Sequence, residues 1–207
     1  MNLLCIDTSE GSQVALVTPD GIERARSGDP RGHAEHLAPL LARVTGSAPV
    51  DAVVVGTGPA PFTGLRVGIV SAEAFAHARG VPVHGVPSLA ALARQALDTP
   101  GGDVVTVVTD ARRKEVYSGT FRAEGRDDVA LVGELAVTRP GDVVTHGALV
   151  GPATSLYPGE LPGTPLDLDV AVLARLAMAR LARGLDLPTH PLYLRRPDVH
   201  VGVRRAT

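Results

Sequence analysis

The chain has 207 residues, a length that fits one domain or two small lobes. With 44% hydrophobic and 20% charged residues it carries enough aliphatic side chain for a real core, which excludes a wholly disordered polymer. A formal net charge of −2, with three Phe, three Tyr and no Trp, excludes a chain built mainly to grip phosphates and stack bases. Lys114 is the only lysine, and the arginine bias reads as coding composition rather than function. The single cysteine, Cys5, excludes an internal disulfide and a multi-thiolate metal site and fits a reducing cytosol. The opening apolar run, Leu3 to Ile6, is stopped by Asp7 without a basic segment and is too short for a signal peptide. The Ala/Leu-rich tract near Val172 is broken by Arg175 and Arg180, so no membrane span is expected and the cytoplasm is the expected location.

Two strands, Leu3 to Ile6 and Val14 to Val17, are predicted from apolar runs separated by Asp7-Thr8-Ser9 and Gly11. From His33, Leu37, Leu40, Leu41 and Val44 recur at helical spacing, with Pro39 inside and Gly46 as the stop. Ala52 to Val55 reads as a buried strand, Gly56 to Gly64 as a glycine- and proline-rich loop, and Leu65 to Arg79 as a helix ended by Gly80. A strand over Val81 to Val86 and a helix from Ser88 to Leu97 follow. Thr99-Pro100-Gly101-Gly102 marks a lobe boundary, giving an N-terminal lobe over 1–100 and a C-terminal lobe over 101–207, whose last segment is free to return to the first. Beyond it come strands at Val104 to Val108 and Val116 to Phe121 around a charged turn, a short strand at Ala148 to Val150, a loop from Pro152 to Pro165, and a helix from Asp169 to Arg183. Strands alternating with helices in each half predict two α/β lobes with mixed sheets.

Few motifs carry chemistry. Asp7-Thr8-Ser9 at a strand end has the side chains to meet a phosphate or a metal, and equally those of a self-bonded turn. The Gly56 to Gly64 loop sits where an anion cradle belongs, yet Pro59 and Pro61 lack the N–H groups a cradle needs, so it reads as a rigid turn or a poor anion site. His33 and His36 are too few for a metal site and read as surface or interface histidines; His84, His146, His190 and His200 stand alone. No Gly-x-Ser-x-Gly elbow occurs, and Cys5 lies within a strand. Asp110 to Glu115 is a charged turn, either solvated or in contact with an acidic partner or RNA.

Taken together, Ile6-Asp7-Thr8-Ser9, Phe62-Thr63-Gly64-Leu65-Arg66 after Gly58-Pro59, Asp110-Ala111-Arg112 before Glu115-Val116-Tyr117, and Pro191-Leu192-Tyr193-Leu194-Arg195 resemble the TsaB (YeaZ) family in order and spacing. That resemblance implies the actin-like ATPase fold (sugar-kinase- and Hsp70-like, RNase H-like) with two α/β lobes. It implies a role in making threonylcarbamoyladenosine at position 37 of tRNAs that read ANN codons. The expected partners are a TsaD-like transferase and a TsaE-like ATPase, with tRNA reached through the complex, ATP or ADP shared with those subunits, and a homodimer possible in isolation. Ala60-Pro61 replaces the family's Gly-Ser in the loop. Ser88 and Leu92 stand where the transferase paralogue has its metal-binding histidines, so the expected role is a non-catalytic subunit. The alternatives from other classes are a phosphotransferase using its own cleft and a peptidase.

On a helical wheel of Leu65 to Arg79, Val67, Val70, Ala74, Phe75 and Ala78 form one apolar arc, predicted to face the core. Ile69, Ala72 and Ala76 beside Glu73 lie opposite, and this stripe, with the helix carrying His33 and His36, is the predicted partner surface.

Overall fold

The computed structural model describes residues 1–27, 33–99 and 101–195, leaving out the side chains of His33 and Ala34. Two sheets carry the architecture. The first is built from β1 (Leu3–Asp7), β2 (Ser12–Thr18), β3 (Gly21–Ser27), β4 (Ala52–Gly56) and β5 (Val83–Val86), in the order β3-β2-β1-β4-β5. In it β1 runs antiparallel to β2 and parallel to β4. The second comprises β6 (Val104–Arg112), β7 (Glu115–Glu124), β8 (Asp128–Thr138) and β9 (Ala148–Val150), ordered β8-β7-β6-β9. Here β6 is antiparallel to β7 and parallel to β9, so the second sheet repeats the order of the first four strands of the first sheet, with no counterpart to β5.

β1 is a run without alternation because both of its faces are covered. Leu4 and Ile6, with Val53 and Val55 of β4, pack against helices α1 (His33–Thr45) and α2 (Phe62–Arg79). Leu3, Cys5 and Val54 face the other way, toward Leu89 and Leu92 of α3 (Ser88–Ala96) and Leu173 and Leu176 of α5 (Val172–Ala182). Val105, Val107 and Phe121 of the second sheet close that same cluster from the far side. A short helix, α4 (Ala153–Leu156), lies in the stretch expected to be loop and packs Ala153 with Val108 and Val116 of the second sheet.

The middle layer therefore draws α3 from the first half of the chain and α5 from the second, and α5 touches β1, β4 and β5 as well as β8. The chain beyond α5 also returns to the first sheet: Gly85 N–H donates to Leu187 O (2.8 Å) and Leu192 N–H to Thr57 O (2.9 Å). We propose that residues 1–100 and 101–207 are two lobes of one cooperative unit, because neither half covers its own inner face.

The orientation of α2 corrects the sequence reading. Ile69, Ala72 and Ala76 are 6%, 0% and 2% exposed and belong to the lobe's own core, whereas Val70 is 60% exposed. With Ala74 and Ala78, Val70 lies on the outer face, and Glu73 is exposed at its border. The reason is distance. Gly64, Gly68, Ala72 and Ala76 recur every fourth residue and make a low ridge that lets α2 settle onto the sheet. A Cβ on Gly68 would lie 2.2 Å from Thr8 Oγ1. Small residues here mark close packing inside the chain, not a partner's approach. On α1, Leu37, Leu40, Leu41 and Val44 face inward as expected, His36 is half-buried, and Ala38 and Ala42 are exposed.

Candidate functional site

β1 delivers Asp7 to the end of the first sheet, where β4 ends in Gly56. The carboxylate is fully buried and held at both oxygens. Oδ1 accepts the Ser9 N–H (2.8 Å) and the Ser9 hydroxyl (2.5 Å). Oδ2 accepts the Ser88 hydroxyl (2.6 Å), and Ser88 Oγ in turn accepts the Gly58 N–H (3.2 Å). Thr8 is 2% exposed and donates its hydroxyl to Gly64 O on α2 (2.8 Å). Asp7, Thr8 and Ser9 thus knit the β1 loop to α2, α3 and the Gly56 to Gly64 turn. Ser9 alone of the three reaches the cleft described next. Leu92 is 1% exposed in the core, and Ser88 faces Asp7.

Between the loops that follow β1 and β6 lies a cleft of about 340 Å³ lined by Ser9, Glu10, Arg26, Asp110, Arg112 and Asp167 among others. Arg112 pairs with Asp110 (3.1 Å) and Arg26 with Asp167 (3.7 Å), so both cations are already matched to carboxylates. The turn beside it carries Pro59 and Pro61, with a cis Gly58–Pro59 peptide. A nucleotide's phosphates need free backbone N–H groups and unmatched cations. The residues present do not fit that group. Among the described residues no three His, Cys, Asp or Glu side chains form a metal-binding group.

Glu10, which the sequence reading passed over, lies half-buried in this cleft. Burial, followed by the neighbouring carboxylates of Asp7, Asp167 and Asp110, pushes its pKa up to about 8. An acid raised on folding keeps its full stability only below the unfolded value of 4.5, and the contribution is lost as pH rises to about 8. Glu10→Gln is expected to leave the melting temperature unchanged near pH 4.5 and to raise it increasingly toward pH 8; thermal melts across that range check it. Cys5 is buried and its thiol is pushed up to about 12, so it is no nucleophile at neutral pH.

The turn after β6 is unusual in its backbone. Arg112, Arg113 and Lys114 take φ of 63°, 57° and 60° in succession. Such a tight hairpin normally uses Asn-Gly, and each ordinary side chain in this region costs about 1–2 kcal/mol. His33's side chain, His200, Arg196, Arg204 and Arg205 lie outside the described residues, and Arg195 pairs with Glu115 and donates to Ala111 O (3.1 Å). Among the described residues no helix is long and apolar enough to cross a membrane.

Two mixed sheets of like order, helices on three levels and a cleft between the loops after the first strand of each define the actin-like ATPase fold. The family described as TsaD, tRNA N6-adenosine threonylcarbamoyltransferase, matches residues 29–157. YeaZ from Pseudomonas aeruginosa superposes with a TM-score of 0.80 at 30% identity, over 93% of this chain and 99% of that one. An uncharacterised protein of Mycobacterium tuberculosis is 41% identical over 176 residues, 82% of this chain and 78% of its own length. The tRNA threonylcarbamoyladenosine biosynthesis protein TsaB of Escherichia coli is 31% identical over 130 residues, 60% of this chain and 56% of its own length. This chain belongs to the TsaB (YeaZ) family.

Proposed function

We propose that this chain works in the synthesis of threonylcarbamoyladenosine in tRNA, in the cytoplasm, as a non-catalytic subunit that holds and activates a TsaD-type transferase. The name of its TsaB relatives supports the pathway. The observation that carries the non-catalytic reading is the closed Asp7 network, in which both carboxylate oxygens are engaged within the fold. A general base must reach a substrate proton, and Asp7 is fully buried with both oxygens engaged inside the fold. A TsaE-type ATPase completes the assembly, ATP or ADP belongs to the partner subunits, and tRNA is engaged within the complex.

The outer face of α1 and α2 supports a partner surface. Val70, Ala74 and Ala78 are exposed on α2, and Ala38 and Ala42 are exposed on α1, which packs against α2; these small apolar side chains suit the approach of a second pair of helices. The same face serves a homodimer when the transferase is absent. Reconstitution tests the reading: the transferase and ATPase with tRNA should modify it faster when this chain is added, and the chain alone should modify none. Turnover of ATP with an acceptor by the chain alone, abolished in a folded Asp7→Asn variant, would contradict it.

A further inference from the structure

We propose that the hairpin between β6 and β7, with Phe62 and Tyr193, forms a contact site for single-stranded RNA; this rests on the reading that the chain serves a tRNA-modifying complex. The chain has six aromatic residues, and Phe62, Tyr117 and Tyr193 line one cavity of about 210 Å³. Phe62 and Tyr193 are 40% and 39% exposed, their ring centroids are 5.0 Å apart, and the Arg66 guanidinium stands 4.8 Å from the centre of the Phe62 ring. Large aromatics half-open to water beside arginine planes are the means by which proteins stack unpaired bases. A base extends this stack at Tyr193.

Charge agrees with stacking. The chain as a whole carries −2, yet Arg66, Arg113 and Lys114 gather here beside the Arg112–Asp110 and Arg195–Glu115 pairs, which are matched within the fold. Arg112 and Arg195 are tethered by those carboxylates, so their planes are fixed in place. The hairpin tip holds Arg113 and Lys114 at positive φ, where glycine or asparagine would sit without strain. Glycine or asparagine would relax this turn, whereas the residues present set two cations beside the rings. Past the tip a second cavity of about 530 Å³ shares Arg113 and is lined by Lys114 and Arg139 together with Glu115, Asp142 and Glu160. The two cavities adjoin along the hairpin, which provides for a strand of several nucleotides rather than one free nucleotide.

The full chain titrated with a seven-nucleotide single-stranded RNA at low salt, followed by the NMR signals of its aromatic rings, tests this. Phe62 and Tyr193 should shift while Phe75 and Phe121 stay, and the affinity should fall steeply with added salt. Tyr193→Ala should weaken binding about tenfold. Arg113→Asn with Lys114→Gly should weaken RNA binding and raise the melting temperature together, which a merely structural turn would not do. The inference is overturned if RNA leaves both rings unmoved, if adenosine monophosphate binds as well as the strand, if polyglutamate shifts the rings as RNA does, or if Tyr193→Ala binds like the parent. Association of the parent chain with the transferase, measured separately, judges the proposed function: RNA contact without association would leave this site standing and overturn that reading, and the reverse would do the opposite.

Discussion

Gly56→Ala is expected to lower stability by about 3 kcal/mol, and the melting temperature by roughly 6–12 °C. A Cβ built on Gly56 would lie 1.8 Å from Asp7 Oδ2 and 2.8 Å from Ser88 Oγ. A free side chain would step aside at little cost, but Asp7 is buried and held by Ser9 and Ser88, so it moves only by breaking those hydrogen bonds. Hydrogen bonds to a charged group are worth about 1.5–3 kcal/mol each, and a buried carboxylate without them adds its own desolvation. The cost should be strongly non-additive. In an Asp7→Ala background the obstacle is gone, and Gly56→Ala should become much milder. Denaturant melts of the two single variants and the double variant measure this coupling; an independent cost for Gly56→Ala would mean that the Asp7 network is loose.

Asp128→Ala is expected to cost about 3–5 kcal/mol, the range for removing one partner of a buried ion pair. Asp128 is 2% exposed at the start of β8 and accepts from Arg180 Nε (2.9 Å) on α5, from its neighbour's N–H at Val129 (2.8 Å), and from Arg183. Its own backbone carbonyl accepts from the buried Arg94 on α3 (3.3 Å). This one residue therefore fastens both helices of the middle layer to the second sheet. Asp128→Asn keeps the size and some of the hydrogen bonds, and should recover part of the loss. Equal melting of Asp128→Ala and the parent would show that α5 is held by its apolar face alone.

The sequence made the covered elements legible and hid those whose placement depends on distant parts of the chain. β1 and β4 read as buried strands because unbroken runs of Leu, Ile and Val need cover on both faces. The α1 stripe was plain for a different reason: its large apolar residues, Leu37, Leu40, Leu41 and Val44, recur at helical spacing, while the other side carries only small or polar residues such as Glu35, Ala38, Ala42 and Arg43. β3 and β8 escaped because they are edge strands: Gly21–Ser27 buries only Ala25, and β8 is largely half-exposed, so neither shows an apolar run. α2 was misread because both of its faces are apolar; side-chain size, not hydrophobicity, decides which one meets the sheet, and that is set by Thr8 lying against Gly68. Asp7 was found by its position at a strand end, but its partner Ser88 lies 81 residues away. Glu10 carried no motif at all. Its raised pKa comes first from burial and then from Asp7, Asp167 and Asp110, and only the folded cleft brings the last two near. The six aromatics looked too sparse to matter until the fold put three of them in one place.

The partner surface is the part of the proposed function that a single binding measurement reaches most directly. Titrating a TsaD-type transferase of the same organism with this chain, followed by sedimentation velocity, should give a defined heteromeric complex. Val70→Arg with Ala74→Arg puts two long charged side chains on the outer face of α2 without touching Leu65, Ile69, Ala72 or Ala76 beneath it. That variant should melt within a few degrees of the parent and lose affinity for the transferase by roughly thirtyfold or more. A parent chain that forms no complex, or a folded variant that binds as the parent does, would contradict the assignment of this face to the transferase.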